Sequence, residues 1–143
     1  MDTSGVKVAG SQGAVTPQEC KAALRPMCVA KPTFWNKLTM SNIPHGGKGL
    51  GEADLLDYTA EFLLTRGPFA MLGYSWYGCT GSAAAGGGAS PDPPRAKEWD
   101  MDFGEPASAC SETGADTGIF SRKYSKASVE WDCNSGHGKV TMD

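Results

Sequence analysis

The residues best suited to chemistry follow two short apolar segments in the first half of the chain. Asn42 and His45 come at the end of the first segment, and Tyr74, Trp76 and Tyr77 come at the end of the second. An aromatic face can stack on the apolar face of a sugar ring, and an imidazole can bind a substrate hydroxyl. These five residues are the candidate substrate-binding set, with Trp76 the strongest. The competing interpretations are that Trp76 is a core aromatic and that His45 is simply exposed.

Other chemical signatures in the chain are incomplete. Residues 45–51 are glycine-rich but lack the Gly-Lys-Ser/Thr of a P-loop and the G-x-G-x-x-G of a dinucleotide site. Asp100 and Asp102 have the spacing that begins a calcium loop, but the remaining ligands of that loop are missing. The sequence therefore predicts no metal site and no cofactor.

The candidate residues would be positioned by one helix. Leu55, Phe62 and Leu63 recur at helical spacing, which predicts an amphipathic helix from Glu52 onward. The pair Gly67-Pro68 predicts its end, because glycine tolerates a left-handed cap and proline cannot continue the helix.

Strands are predicted on either side of this helix, at 37–43 and 69–76. The second is almost continuously apolar, as is typical of a strand buried in a parallel sheet, although periodicity alone leaves a second helix open. Strand, helix and strand predict a βαβ unit with parallel strands. Functional groups gather beyond the carboxyl ends of such strands, so the candidate residues should share one edge of the sheet.

The segments outside this unit have simpler patterns. Residues 1–15 are polar and glycine-rich and predict a mobile tail. A capping-box sequence beginning at Thr16 predicts a short helix that stops at Pro26. Ala, Gly, Ser and Pro dominate residues 80–95, which predicts a low-complexity linker.

The C-terminal segment has a period of two. Residues 118–142 predict a small antiparallel β hairpin or meander that follows the parallel unit. Val129, Trp131 and Cys133 would share one face of its central strand.

Four of the five cysteines are candidates for disulfides. Cys20 and Cys28 flank the first helix, Cys110 and Cys133 flank the predicted hairpin, and either pair could be joined in an oxidising compartment. Buried free thiols are the alternative. No two cysteines have Cys-x-x-Cys spacing, and Cys79 has no visible base partner for nucleophilic chemistry.

Composition limits the classes of function. The 143 residues are 40% hydrophobic and 20% charged, as expected for one globular domain. With a net charge of -3, the chain has no excess of basic residues to bind nucleic acid. No apolar run is long enough to cross a bilayer. No signal peptide is visible, so we expect secretion if the N-terminus is truncated and a cytoplasmic protein otherwise.

Three segments resemble the C-terminal end of glycoside hydrolase-like (β/α)8-barrel proteins. They are FLLTRGPFAMLGYSWYGC, WDMDFGEPASAC, and the stretch from GIFSRKYSKASVEWDCN to KVTM. In such proteins the last helix and strand are followed by a D-x-G-x-P segment and a closing hairpin. Residues 102–106 and 129–134 occupy those places here.

The resemblance runs from about residue 16 to the end of the chain and implies a fold of class α/β. Residues 16–143 would form a single partial-barrel domain, a (β/α) barrel end followed by the antiparallel appendage. A complete barrel needs about 250 residues, so the front strands and most of the presumed catalytic carboxylates would be missing here. Tyr74, Trp76 and Tyr77 would line a sugar-binding cleft.

The carboxylates of this chain do not suggest catalysis. Glycoside hydrolysis needs two carboxyl groups that face each other across a cleft, and no Asp or Glu lies at a predicted strand end. Glu98, Asp100, Asp102 and Glu105 follow the linker, and we interpret them as surface charges. The catalytic residues are therefore unknown.

Three hypotheses follow for the function. The chain is the C-terminal fragment of a carbohydrate-active protein and is not catalytic alone, or a small module that binds a glycan or a protein, or a degenerate remnant without independent function. A fragment should leave an apolar strand uncovered at 69–76 and self-associate through its strand edges. A self-sufficient module should cover that strand, for instance with the 119–133 hairpin.

Overall fold

The computed structural model describes residues 16–29, 39–43, 50–74 and 95–143. The predicted tail, Cys79 and residues 80–94 of the predicted linker lie outside the described residues. The helices and strands follow in the order α1 (Pro17–Met27), β1 (Thr39–Ile43), α2 (Glu52–Thr65), β2 (Ala70–Tyr74), a 3-10 helix (Lys97–Asp100), β3 (Ser111–Glu112), β4 (Ile119–Lys123), β5 (Ala127–Asp132) and β6 (His137–Met142).

Strands β1 and β2 form a two-stranded parallel sheet. Their register runs from the pair Thr39 and Ala70 to the pair Ile43 and Tyr74. Parallel neighbours need a crossover connection, and α2 lies in that connection. The predicted βαβ unit is therefore confirmed.

The C-terminal strands form an antiparallel sheet in the order β3-β4-β5-β6. The predicted alternation in β5 is confirmed, since Val129, Trp131 and Cys133 are buried whereas Glu130 is exposed. The meander is larger than expected because β3 adds an edge strand that begins at residue 111.

Helix α2 is buried between the two sheets. Leu55 packs with Ile43 at the parallel sheet, whereas Leu64, one of several core residues further along the helix, packs in the cluster that contains Phe120 and Trp131. Each large apolar side chain buried in this way contributes about 1.5–3 kcal/mol. Among the described residues, the meander therefore provides the larger part of the core rather than a peripheral appendage.

The close contact between α2 and the meander requires a glycine in β6. A Cβ built on Gly138 would lie 2.3 Å from the Cβ of Ala60 and 3.0 Å from the Cε3 atom of Trp131. No real side chain fits at such distances, so the helix approaches the strand at this glycine.

The C-terminus of α2 is not ended by the predicted left-handed glycine. Arg66 follows the helix with φ -58° and ψ 136°, and Gly67 is not among the glycines with positive φ. Instead, Nη1 of Arg122 donates to the carbonyl oxygens of Leu63 at 3.2 Å and Arg66 at 2.7 Å. The Tyr124 hydroxyl donates to the Leu63 carbonyl oxygen at 2.6 Å. Side chains of β4 and the residue after it therefore satisfy the terminal carbonyl groups of the helix.

Helix α1 begins as predicted but ends later. The side-chain oxygen of Thr16 accepts a hydrogen bond from the Glu19 amide, and the Glu19 carboxylate accepts one from the Thr16 amide. Pro26, predicted to stop the helix, lies inside its last turn. It is tolerated there because the Cys28 amide still donates to the Leu24 carbonyl oxygen at 3.1 Å.

Two disulfides join α1 to the meander. Cys20 is bonded to Cys133 and Cys28 is bonded to Cys110. The four predicted cysteines are therefore the bonded ones, but the predicted local pairing is wrong. Cysteines eight residues apart on a helix are separated by about 12 Å along its axis, too far for a disulfide.

Candidate functional site

The carboxyl ends of β1 and β2 form the predicted edge. In the register, Asn42 is the partner of Gly73, and Ile43 is the partner of Tyr74. The backbone therefore brings Asn42 and Tyr74, two of the five predicted site residues, to the same edge of the sheet. His45, Trp76 and Tyr77 lie outside the described residues.

The described residues that follow the connections after β1 and β2 lie close to this edge. Ile43, the last residue of β1, is fully buried with Leu55 and Ala96, and Leu50 packs against the same cluster. Residue 50 ends the connection that leaves β1, and residue 96 follows the connection that leaves β2. The residues that follow both connections, Leu50 and Ala96, therefore pack beside Leu55 of α2 at this edge.

Trp99 fixes the segment that begins at residue 95 against α2. Its indole Nε1 donates to the Thr59 side-chain oxygen at 2.8 Å, and that oxygen donates to the Leu55 carbonyl oxygen at 2.7 Å. The Arg95 guanidinium lies over the Trp99 ring, 5.7 Å from its centroid. Residues 97–100, from the segment whose carboxylates were interpreted as surface charges, form a 3-10 helix that packs on α2. Trp99, the one aromatic side chain among the charges of residues 97–102, was the signal for this contact.

A shallow cavity of about 200 Å³ lies where this 3-10 helix meets the start of α2. It is lined by Glu52, Ala53, Leu56, Ala96, Lys97 and Glu98. Pockets that enclose a small-molecule ligand have volumes of about 300–1,000 Å³. This cavity is therefore too small to enclose an oligosaccharide.

The face of the parallel sheet that points away from α2 is uncovered along β2. Leu72 packs in the cluster around Ile43, whereas Met71 is 58% exposed and Phe69 is 60% exposed. A Cβ on Gly73 would meet nothing within 4 Å. The hairpin that was expected to cover this strand if the chain is a module packs on α2 instead.

Two of the carboxylates after the linker form ion pairs at the surface. Asp100 pairs with Arg95 at 2.6 Å, and Asp102 pairs with Lys126. These hydrogen bonds lower the pKa of both carboxyl groups, and the Gly104 amide adds a further hydrogen bond to Asp102. Both are therefore ionised and occupied with structural contacts, as expected of surface charges.

The D-x-G-x-P segment forms a turn against the end of β4. Gly104 has a φ of 74°, and a Cβ there would lie 2.0 Å from the Ser125 hydroxyl oxygen. The Glu105 amide donates to that oxygen at 3.1 Å, and Pro106 forms a β-bridge with Tyr124. The segment is therefore a structural turn, and Glu105 is exposed.

Glu61 is a partly buried titratable group that the sequence pattern did not distinguish. Burial raises its pKa to about 8. An acid catalyst needs a carboxyl group of this kind. However, α2 leads away from the carboxyl edge, and Glu61 lies nine residues after Glu52, about 13 Å along the axis. Glu61 is therefore too far from the edge to act on a substrate bound there.

No family model and no curated protein matches the chain. In the described part of the chain, no helix is long and apolar enough to cross a membrane. Within the same residues, no group of three or more His, Cys, Asp or Glu side chains is arranged to hold a metal ion. The fold is thus a βαβ unit followed by an antiparallel meander, and the candidate site is the carboxyl edge of the parallel strands.

Proposed function

We propose that the chain is the C-terminal part of a carbohydrate-active, glycoside hydrolase-like protein and contributes a sugar-binding edge rather than the catalytic carboxylates. The observation that carries the proposal is the parallel pairing of β1 with β2. This pairing brings Asn42 and Tyr74 to the edge at which α/β proteins bind their ligands. Trp76 and Tyr77 follow within three residues of Tyr74 along the chain.

The uncovered face of the parallel sheet supports the part-barrel interpretation. Parallel sheets are normally buried on both faces, and a two-stranded sheet is marginal by itself. Here α2 covers one face, while Met71 and Phe69 remain exposed. Further strands of a barrel would bury this face and would supply the acid and the nucleophile or base.

The disulfides support a secreted protein. Structural disulfides form and persist in oxidising compartments and are rare in the cytosol. Cys20–Cys133 and Cys28–Cys110 both join segments that are distant in sequence, as structural disulfides do. Polysaccharides are typical substrates of secreted proteins, so secretion is consistent with the proposal.

The direct test is titration of the purified, oxidised chain with defined oligosaccharides, followed by calorimetry. We expect Trp76→Ala to weaken binding about ten-fold, the loss expected from one aromatic contact. The matched control is Phe69→Ala, which removes an exposed aromatic at the other end of β2. The absence of binding to any oligosaccharide, or equal losses in the two variants, would contradict the proposal. Hydrolysis of a glycosidic bond by this chain alone would show that it carries catalytic carboxylates.

A small glycan- or protein-binding module is the second candidate. The observation that favours it is the core formed by α1, α2 and the meander, in which two disulfides bond α1 to the meander. Sedimentation distinguishes the candidates. A compact monomer that binds oligosaccharide supports the module, whereas self-association through the β2 face supports the incomplete barrel. A chain that binds no ligand would support the third hypothesis, a degenerate remnant without independent function.

A further inference from the structure

The first residue of β6 lies in an acidic environment between α2 and β5. His137 is the register partner of Asp132 in β5. Its Nδ1 atom lies 2.9 Å from Oδ2 of Asp57 in α2. The imidazole is 71% exposed, whereas the Asp57 carboxylate is 18% exposed.

Asp57 links two consecutive residues of β6 to the helix. While Oδ2 contacts His137, Oδ1 accepts a hydrogen bond from the Gly138 amide at 2.7 Å. Gly138 is also the residue at which Ala60 and Trp131 leave no room for a Cβ. The carboxylate therefore lies at the closest approach of α2 to the meander.

We propose that His137 and Asp57 form a pH-sensitive latch that fastens the start of β6 to α2. When the imidazole is protonated, the hydrogen bond from Nδ1–H to the Asp57 carboxylate is also an ion pair, which is stronger than a hydrogen bond with one charged partner. When the imidazole loses its proton, the ion pair is lost and only a hydrogen bond from the neutral ring to the carboxylate remains. The Gly138 amide keeps its own bond to Asp57, so the latch loosens without opening the fold.

The charged groups that face His137 all favour the protonated imidazole. They are Asp57 and Asp54 from α2 and Asp132 from β5. The hydrogen bond that His137 donates to Asp57 contributes most and raises the pKa of His137. Because the folded pKa is raised, the stabilisation is fully present below the unfolded pKa, near 6.5, and is lost as the pH rises through the folded value.

The latch joins the two halves of the fold. Helix α2 belongs to the parallel unit through Leu55 and to the meander through Leu64. A change in protonation at His137 therefore acts on the contact between the parallel unit and the disulfide-linked meander. This inference is independent of the proposed sugar-binding function.

Amide hydrogen exchange of the full oxidised chain tests the latch. The protection factor of the Gly138 amide, corrected for the intrinsic rate at each pH, is measured by NMR at about pH 5.5 and about pH 8. We expect protection about two- to five-fold higher at the lower pH, the range for an exposed ion pair. The difference should disappear in His137→Asn, which keeps a neutral donor at all pH values.

Two controls separate His137 from other groups that titrate in this range. The chain has only two histidines, so His45→Asn tests the other one, and Glu61→Gln removes the carboxyl group whose pKa is raised to about 8. Both variants should keep the pH dependence at Gly138. Equal protection of the native chain at both pH values, or an unchanged difference in His137→Asn, would overturn the proposal.

A second measurement needs only that the native chain be folded. NMR titration of the His137 imidazole should give a midpoint above the usual value near 6.5. In Asp57→Asn the midpoint should fall, although Asp54 and Asp132 remain. A native midpoint at or below the usual value would also overturn the latch.

Discussion

The Arg122 guanidinium donates to the carbonyl oxygen of Arg66 at 2.7 Å, so an arginine on the meander caps the helix of the parallel unit. The same group donates to the carbonyl oxygens of Leu63, Leu64 and Ser108. Arg122 is only 3% exposed, so its cationic group is held inside the protein by carbonyl oxygens. A helix C-terminus carries partial negative charge, which favours a cation at this position.

Replacing Arg122 should therefore be costly. We expect Arg122→Met to lower the free energy of unfolding by roughly 2–4 kcal/mol, because buried carbonyl groups lose their donor. Arg122→Lys should lose less, since it keeps the charge but not the planar set of donors. Urea denaturation of the oxidised chain measures both. A loss below about 0.5 kcal/mol for Arg122→Met would show that the cap is not needed.

Gly138 and Gly73 provide a matched pair of substitutions. Gly138→Ala should lower the free energy of unfolding by about 1–3 kcal/mol, because its Cβ would overlap Ala60 and Trp131. Gly73→Ala should be neutral or slightly stabilising, because its Cβ would meet nothing within 4 Å and alanine costs less backbone entropy than glycine. Thermal unfolding compares the two variants. Equal effects would contradict the close helix–strand contact.

Glu61 should make stability depend on pH in a defined direction. Its folded pKa is raised from 4.5 to about 8, so its contribution is fully present below the unfolded pKa and is lost as the pH rises through about 8. Glu61→Gln should match the native chain at low pH and be more stable above pH 8, by roughly 1–3 kcal/mol. The exposed Glu130→Gln is the control. Melting curves with the same pH dependence in the native chain and Glu61→Gln would show that the fold does not raise the pKa of Glu61.

Cleavage at methionine distinguishes the observed disulfides from local pairing. Cyanogen bromide separates the segments that carry Cys20 and Cys28 by cutting after Met27, and it releases residues 102–142 by cutting after Met101 and Met142. With the observed bonds, both cysteine segments stay attached to 102–142 until reduction. With local pairing, 102–142 would be released without reductant. Mass spectrometry of the unreduced digest decides between the two outcomes.

Local patterns in the sequence predicted much of the fold. The capping box at Thr16 forms within four residues, and the alternation around Val129 follows from the pleat of a strand. The two strands that flank α2 are parallel, as a strand–helix–strand order favours. For the candidate site, this order was enough to predict that Asn42 and Tyr74 share an edge.

Contacts between residues that are distant in sequence could not be predicted from local patterns. Trp99 donates to Thr59 across 40 residues, and Arg122 caps a helix 56 residues earlier in the chain. The sequence around either residue does not indicate which residue is its partner. The same holds for His137, whose partner Asp57 lies 80 residues earlier in the chain.

The sequence by itself determined where most of the helices and strands form, because periodicity, capping residues and turn residues act over a few neighbouring positions. Only the tertiary structure decided what those elements cover. Helix α2 lies between two sheets, and α1 is bonded to the meander through both disulfides. Arg122 and His137 both have partners on or just after α2. Such contacts depend on how far apart residues are in space, and separation along the chain does not specify that distance.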